Sequence, residues 1–183
     1  GHHDFTSEGY AAVVAGVAAQ PAAFETRFAI NSEIRDGAVQ MLGTAGTVTT
    51  VAGVNIGLPR YNRSLVDGCY LSFEAIARIT GMLAGSTYAE RLAHPCIGDS
   101  RADLVVAGCA VLDAICRTWP VGVLRVADRP AAHPVADGQD SGVALVLSGC
   151  IEALRSSIAF ATSVSVDPNR SPITLIACLM AVV

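Results

Sequence analysis

The chain has 183 residues, of which 52% are apolar and only 15% charged, so it can bury a sizeable core and is not a disordered polymer. Its formal net charge of −4 excludes a nucleic-acid partner held by broad electrostatics. It does not exclude phosphate handling, because backbone N–H groups of an acidic chain still bind phosphate.

The chain opens on Gly1-His2-His3 without a charged-then-apolar leader, and it is expected to start inside a longer reading frame. Residues 7–20 read as a helix with Ser7 as cap and Tyr10, Val13, Val14 and Val17 at helical spacing. Pro21 interrupts it, and a second short helix runs through Phe28. Ala38–Leu42 reads as a buried strand ending at Gly43-Thr44-Ala45-Gly46-Thr47. A helix over Val48–Ile56 follows and stops near Gly57. Leu58–Arg63 is a loop because of Pro59, and Val66–Leu71 a brief strand with a turn at Asp67-Gly68. Ser72 caps a helix to Ala84 with Phe73, Ile76, Ile79, Thr80 and Leu83 on one side. Thr87-Tyr-Ala-Glu90 has capping-box spacing for a short helix ending before His94-Pro95. Residues 101–118 form a long helix with a broad apolar face, in which Gly108 permits a neighbour to approach closely. Val121–Val126 reads as a strand. The order is that of an α/β protein.

After Arg129 the composition changes. Pro130–Ser141 carries little periodicity, a helix is expected near Ile151–Ala161, and Asp167–Pro172 is a proline loop. The most apolar stretch, 173–183, is too short to span a bilayer.

Six cysteines lie at 69, 96, 109, 116, 150 and 178, with no CxxC pair and no histidine cluster beside them, so neither a metal site nor a disulfide framework is expected. Cys109 and Cys116, seven apart among apolar neighbours, are expected to be buried.

The segment that carries chemistry is Leu42-Gly-Thr-Ala-Gly-Thr-Val-Thr-Thr50. A glycine turn that leaves a buried strand and opens a helix presents free N–H groups and the positive end of the helix dipole to an anion. Gly43, Thr44, Ala45, Gly46 and Thr47 are therefore the candidate phosphate-binding residues, with hydroxyl donors at Thr44 and Thr47. The alternative is a strand-to-helix turn that uses glycine for geometry alone, since GxxG is short, and the turn is neither a dinucleotide fingerprint nor a P-loop. The chain has no lysine, and its cations are arginines. Arg60 and Arg63 are candidate contacts to a polyanion, with a solvated surface loop as the alternative. Asp128-Arg129, at a strand end, reads as an ion-pair site.

Taken in order, Gly43–Thr50, Gly57-Leu-Pro-Arg-Tyr61, Arg63–Gly68, Ala89-Glu-Arg91, His94-Pro-Cys-Ile-Gly98, Arg101–Gly108 and Leu124–Arg129 resemble the Ppx/GppA phosphatases over roughly residues 10–129. The resemblance implies an incomplete α/β, ribonuclease-H-like lobe of the actin/Hsp70/sugar-kinase superfamily. Residues 1–129 would be the C-terminal part of the second lobe, and 130–183 an atypical tail, frame-shifted or disordered. Gly43–Thr47 would match the superfamily's second-lobe adenosine motif, and Arg101–Gly108 the helix at the interlobe connection. The implied activity is release of terminal phosphate from inorganic polyphosphate or guanosine pentaphosphate with magnesium, in the cytoplasm, by proteins that dimerise. The catalytic glutamate and the first phosphate loop belong to a first lobe that should precede this chain, and the Gly-Gly-Gly-Ser phosphate turn of the second lobe should precede it as well. No residue here is assigned as catalytic or as a metal ligand, and neither nucleic acid nor membrane is expected as a partner. Alone, the chain is expected to be inactive.

In the family the strand ending at Arg129 runs into a closing helix, whereas Pro130-Ala-Ala-His133 follows here. His133–Gly138 can be encoded so that a shifted frame reads as an apolar helix, so a frame shift after Arg129 is one expectation and a natural extension the other. Two further functions compete with a hydrolase fragment. One is a noncatalytic remnant that binds a phosphate ligand or partner. The other is a thiol enzyme using Cys69 or Cys109, for which slow reaction at Cys109 is expected.

Overall fold

The computed structural model describes residues 6–19, 25–26, 29–44, 46–99, 101–128, 144–150, 160–164 and 173–180. Its elements are α1 (Ser7–Ala18), α2 (Ile30–Arg35), β1 (Val39–Thr44), α3 (Gly46–Ile56), α4 (Arg63–Val66), β2 (Tyr70–Ser72), α5 (Phe73–Ala84), α6 (Tyr88–Ala93), α7 (Val105–Thr118), β3 (Val123–Ala127), β4 (Ala144–Cys150), β5 (Phe160–Val164) and β6 (Ile173–Met180).

Local chemistry explains most boundaries. The Thr6 side chain, rather than that of Ser7, accepts from Gly9 N and caps α1. Thr6 has the extended backbone of a cap, while Ser7 is already helical. Gly57, at φ 71, follows α3 where a Cβ would be strained. Ser72 Oγ accepts from Ala75 N at 3.1 Å and opens α5. Thr87 and Glu90 form the full capping box of α6. Three readings need correction. The loop expected through Arg63 gives way at Asn62, whose side chain caps the one-turn α4, and the strand expected from Val66 starts at Tyr70. α2 was not foreseen. The helix expected from Arg101 begins at Val105, after a turn over 101–104.

β1, β3, β6 and β4 run parallel in one sheet of order β2-β3-β1-β6-β4-β5, with β2 and β5 antiparallel to their neighbours. Leu42 pairs with Arg125 and Thr44 with Ala127. The strand Phe160–Val164 replaces the end of the helix expected near Ile151–Ala161, and the rest of that stretch, with Asp167–Pro172, lies outside the described residues.

The core is built from the consecutive buried residues of β1, the inward residues of β2 and β3, one face of α5, and most of α3 and α7. Met41, Leu71 and Leu124 meet Val48 and Val51 of α3, Ile76, Ile79 and Leu83 of α5, and Leu112 and Ile115 of α7. Each such side chain contributes about 1.5–3 kcal/mol on leaving water. Small residues let α1 lie close on α7, where Val14 and Val17 pack on Ala110 and Ala114. Trp119 is fully buried, and its indole Nε1 donates to Glu25 Oε2 at 3.1 Å. The other oxygen of Glu25 accepts from Asn31 N at 2.9 Å, so this carboxylate is a structural clasp.

No helix among the described residues is long and apolar enough to cross a membrane.

Candidate functional site

In sheets with parallel strands, ligands collect beyond the carboxyl ends of those strands. β1 ends at Thr44 and α3 starts at Gly46, so the first N–H groups of α3 open at that edge. The structure gives Gly43 a packing role. A Cβ there would lie 2.8 Å from Leu124 Cδ2 and 2.8 Å from Val48 Cγ1, so glycine lets β1 fit between its neighbours. Ala45 lies outside the described residues.

Gly46, Thr47 and Thr50 of α3 line a small hollow with Arg101 and Leu104 of the turn before α7 and with Val105, its first residue. Its volume is about 10 Å³, room for at most one water molecule. A phosphate group is therefore too large to enter it. The threonines of this turn are buried: Thr47 is 5% exposed and Thr50 0%. Thr49 Oγ1 donates back to Gly46 O at 3.1 Å, a local bond within the first turn. The Thr47 side chain points at Gly108 of α7, where an added Cβ would lie 2.1 Å from Thr47 Oγ1. This is the close approach expected of Gly108, and the neighbour is the candidate phosphate turn itself.

Arg101 reaches the same hollow from outside the turn, and sequence reasoning did not single it out as a site residue. Its Nη1 donates to Thr50 Oγ1 at 3.3 Å, and no carboxylate among the described residues pairs with it. A half-buried guanidinium beside a helix N-terminus adds a full positive charge to the helix's partial one. The signal was present in the segment Arg101–Gly108, but a chain whose cations are all arginines offered no reason to single this one out.

Arg60 and Arg63 lie elsewhere. They line an open groove of about 450 Å³ with Leu58, Pro59, Tyr61, Asn62 and Leu65, and none of these residues lines the hollow. Arg60 is exposed. Arg63 is held: its Nε donates to Asp128 Oδ2 at 2.8 Å, and the Tyr61 hydroxyl donates to the same oxygen at 2.6 Å. Burial, with help from Asp128, pushes the Tyr61 phenol up to about 12. Asp128 N donates to Asp67 Oδ1 at 2.9 Å, which closes the network. Asp128 thus makes an ion pair; Arg129 is outside the described residues.

Cys109 and Cys116 are buried, as expected from their spacing, and Cys96 is buried as well, with its Sγ donating to Leu58 O at 3.2 Å. Burial pushes the thiols of Cys109 and Cys116 up to about 12, with Asp113 adding to it. Such thiols are poor nucleophiles at neutral pH, which argues against the thiol-enzyme reading at Cys109.

The described residues contain no group of three His, Cys, Asp or Glu side chains that could hold a metal ion. The hollow offers Gly, Thr and Arg, not the carboxylates that bind magnesium, so its residues do not fit a magnesium site.

No protein-family model and no curated protein matches the sequence. Solved structures do. An exopolyphosphatase-like protein matches with a TM-score of 0.55 and 25% identity, over 67% of this chain and 40% of its own. An exopolyphosphatase from Cytophaga hutchinsonii matches with a TM-score of 0.55 and 22% identity, over 69% and 40%. A Ppx/GppA phosphatase from Aquifex aeolicus gives 0.47 and 19%, over 66% and 43%. The chain thus has a mixed α/β structure that resembles the exopolyphosphatase-like protein and the Cytophaga exopolyphosphatase, and it spans about 40% of the length of each.

Proposed function

We propose that this chain is part of a phosphoanhydride hydrolase that releases terminal phosphate from inorganic polyphosphate or guanosine pentaphosphate, and that it supplies one of the phosphate contacts. The observation that carries this reading is the convergence of the α3 N-terminus, buried Thr47 and Arg101 on one hollow. A terminal phosphate at the mouth would meet backbone N–H groups, the helix dipole and one guanidinium. Such contacts orient a phosphoryl group and spread its charge, which is most of what a protein contributes to phosphoryl transfer. They do not activate water. No carboxylate lines the hollow, so the general base, and any magnesium ligands, would come from residues outside this site.

That same lack of a carboxylate favours a second reading, in which the lobe binds a phosphate-bearing ligand without turnover. Both readings place the protein in the cytoplasm, and the resemblance leaves dimerisation as a further proposal. A frame shift after Arg129 also stays a proposal; codons that encode no apolar helix in either other frame would end it.

The test compares phosphate release from long-chain polyphosphate with magnesium by this chain and by one extended upstream. Tripolyphosphate binding to this chain is followed in parallel. Binding by both and release by the longer protein alone is the expected result. Release by this chain alone would show that its own acidic residues include the base. Binding without release by either supports the noncatalytic reading, and no binding by either removes the phosphate site.

A further inference from the structure

Arg101 projects from a run of turns between α6 and α7, not from a regular element. Its own backbone bonds are local: Arg101 N donates to Gly98 O at 3.2 Å, and Arg101 O accepts from Leu104 N and Val105 N. They shape the turn but do not fix where it sits against α3. A side-chain bond from α6 also reaches this turn. Arg91, in α6, is only 3% exposed, and its Nε donates to Ala102 O at 2.8 Å. Its Nη1 donates to Ser86 O, just beyond α5. The planar guanidinium thus ties the residue after Arg101 to the end of α5, which is itself packed in the core through Ile76, Ile79 and Leu83. Ala102 is fully buried but brings only a methyl group to that packing, so the hydrogen bond is the directional part of the link.

We infer that Arg91 is a positioning residue: it holds the 101–102 turn at the height at which Arg101 reaches Thr50 and the hollow at the start of α3. The functional part rests on the phosphate reading above, while the positional part stands without it. Arg91 is walled off from solvent and acts on the site through Arg101, in the way that outer residues orient the groups that touch a ligand. Lysine is a poor substitute, because a single ammonium lacks the rigid fork that spans two carbonyls.

The experiment uses the whole chain with Arg91→Met, Arg91→Lys, Arg101→Met and the double variant Arg91→Met/Arg101→Met. Two quantities are read. One is tripolyphosphate affinity by calorimetry. The other is the rate at which phenylglyoxal modifies Arg101, followed by peptide mass. Arg91→Met is expected to weaken tripolyphosphate about tenfold, the scale of one charge-assisted contact, and to have less than about a twofold effect once Arg101 is methionine. It should also speed Arg101 modification several-fold. A loss of affinity equally large in the Arg101→Met background would overturn the proposal, because Arg91 would then act on the fold at large. So would an unchanged modification rate at Arg101. If Arg91→Met does not fold, Arg91→Lys carries the same two comparisons with a smaller loss. If the unaltered chain binds no tripolyphosphate, the phosphate reading fails, and the modification rate alone decides whether Arg91 positions Arg101.

Discussion

Replacing Gly108 with alanine sets two energies of opposite sign against each other. In a helix interior alanine is favoured over glycine by about 1 kcal/mol. Against this, the new Cβ would lie 2.1 Å from Thr47 Oγ1 and 3.0 Å from both Thr47 Cβ and Cγ2. Rotation about χ1 can swing Oγ1 away but cannot move Thr47 Cβ, so α7 and the start of α3 must also separate. Overpacking of this kind costs about 1–3 kcal/mol, and contact at this range belongs at the upper end. The expected net loss is about 1–2 kcal/mol, read as a lower urea midpoint with an unchanged slope. The partner substitution Thr47→Ala removes Oγ1 and Cγ2. In that background Gly108→Ala should cost clearly less than in the parent, under about 1 kcal/mol, because only the 3.0 Å contact with the remaining Cβ persists. A Gly108→Ala chain more stable than its parent, or one equally destabilised with and without Thr47, would show that the α3–α7 contact is not what demands glycine.

The remaining predictions concern the same framework. Arg101→Met should weaken tripolyphosphate by about tenfold or more while moving the urea midpoint little, because the side-chain hydrogen bond it loses, to Thr50, is a long one; calorimetry checks it, and unchanged affinity would remove Arg101 from the site. Thr87→Ala removes the capping oxygen of α6 and should cost about 1 kcal/mol in urea unfolding. Cys109 and Cys116 should resist a disulfide reagent at about pH 8 in the native chain and react on unfolding. The same thiols set an alkaline limit. Their folded pKa is raised from 9.0 to about 12, so the stability they contribute is complete below pH 9.0 and is lost as pH rises toward 12. Urea midpoints should fall across that window, and fall less when both cysteines are alanine.

Local signals made much of residues 70–118 legible. Ser72 and the Thr87–Glu90 pair mark helix starts by side-chain oxygens placed three residues before the N–H groups they accept from, and the buried positions of α5 fall where its apolar spacing put them. The misread boundaries are those where a weaker local signal competed. Asn62 caps α4 in a stretch dominated by Pro59, and Thr6 stands one residue before an equally plausible Ser7. α2 has only six residues and enters through Ala29 at φ 48, a conformation that alanine seldom takes and that tertiary packing around the buried Ile30 must hold.

The site was legible in half. A glycine turn between strand and helix announces an anion site by sequence adjacency, and Gly43–Thr47 is such a turn. Arg101 lies more than fifty residues later, and nothing along the chain says that its guanidinium returns to Thr50. The same holds at Asp128, where one carboxylate gathers Tyr61 and Arg63 from across the fold. That pairing also ranks the arginines as phosphate ligands. Arg63 is partly neutralised by Asp128 and would have to give up that partner to bind a polyanion, whereas the Arg101 guanidinium meets the Thr50 hydroxyl and no carboxylate among the described residues. A phosphate at the hollow therefore gains a charge partner without breaking an ion pair, and the same phosphate at Arg63 does not. The balance of affinity should lie with Arg101, and Arg63→Met should cost less tripolyphosphate affinity than Arg101→Met; the reverse order, measured by calorimetry on the two variants, would move the site to the groove beside Asp128.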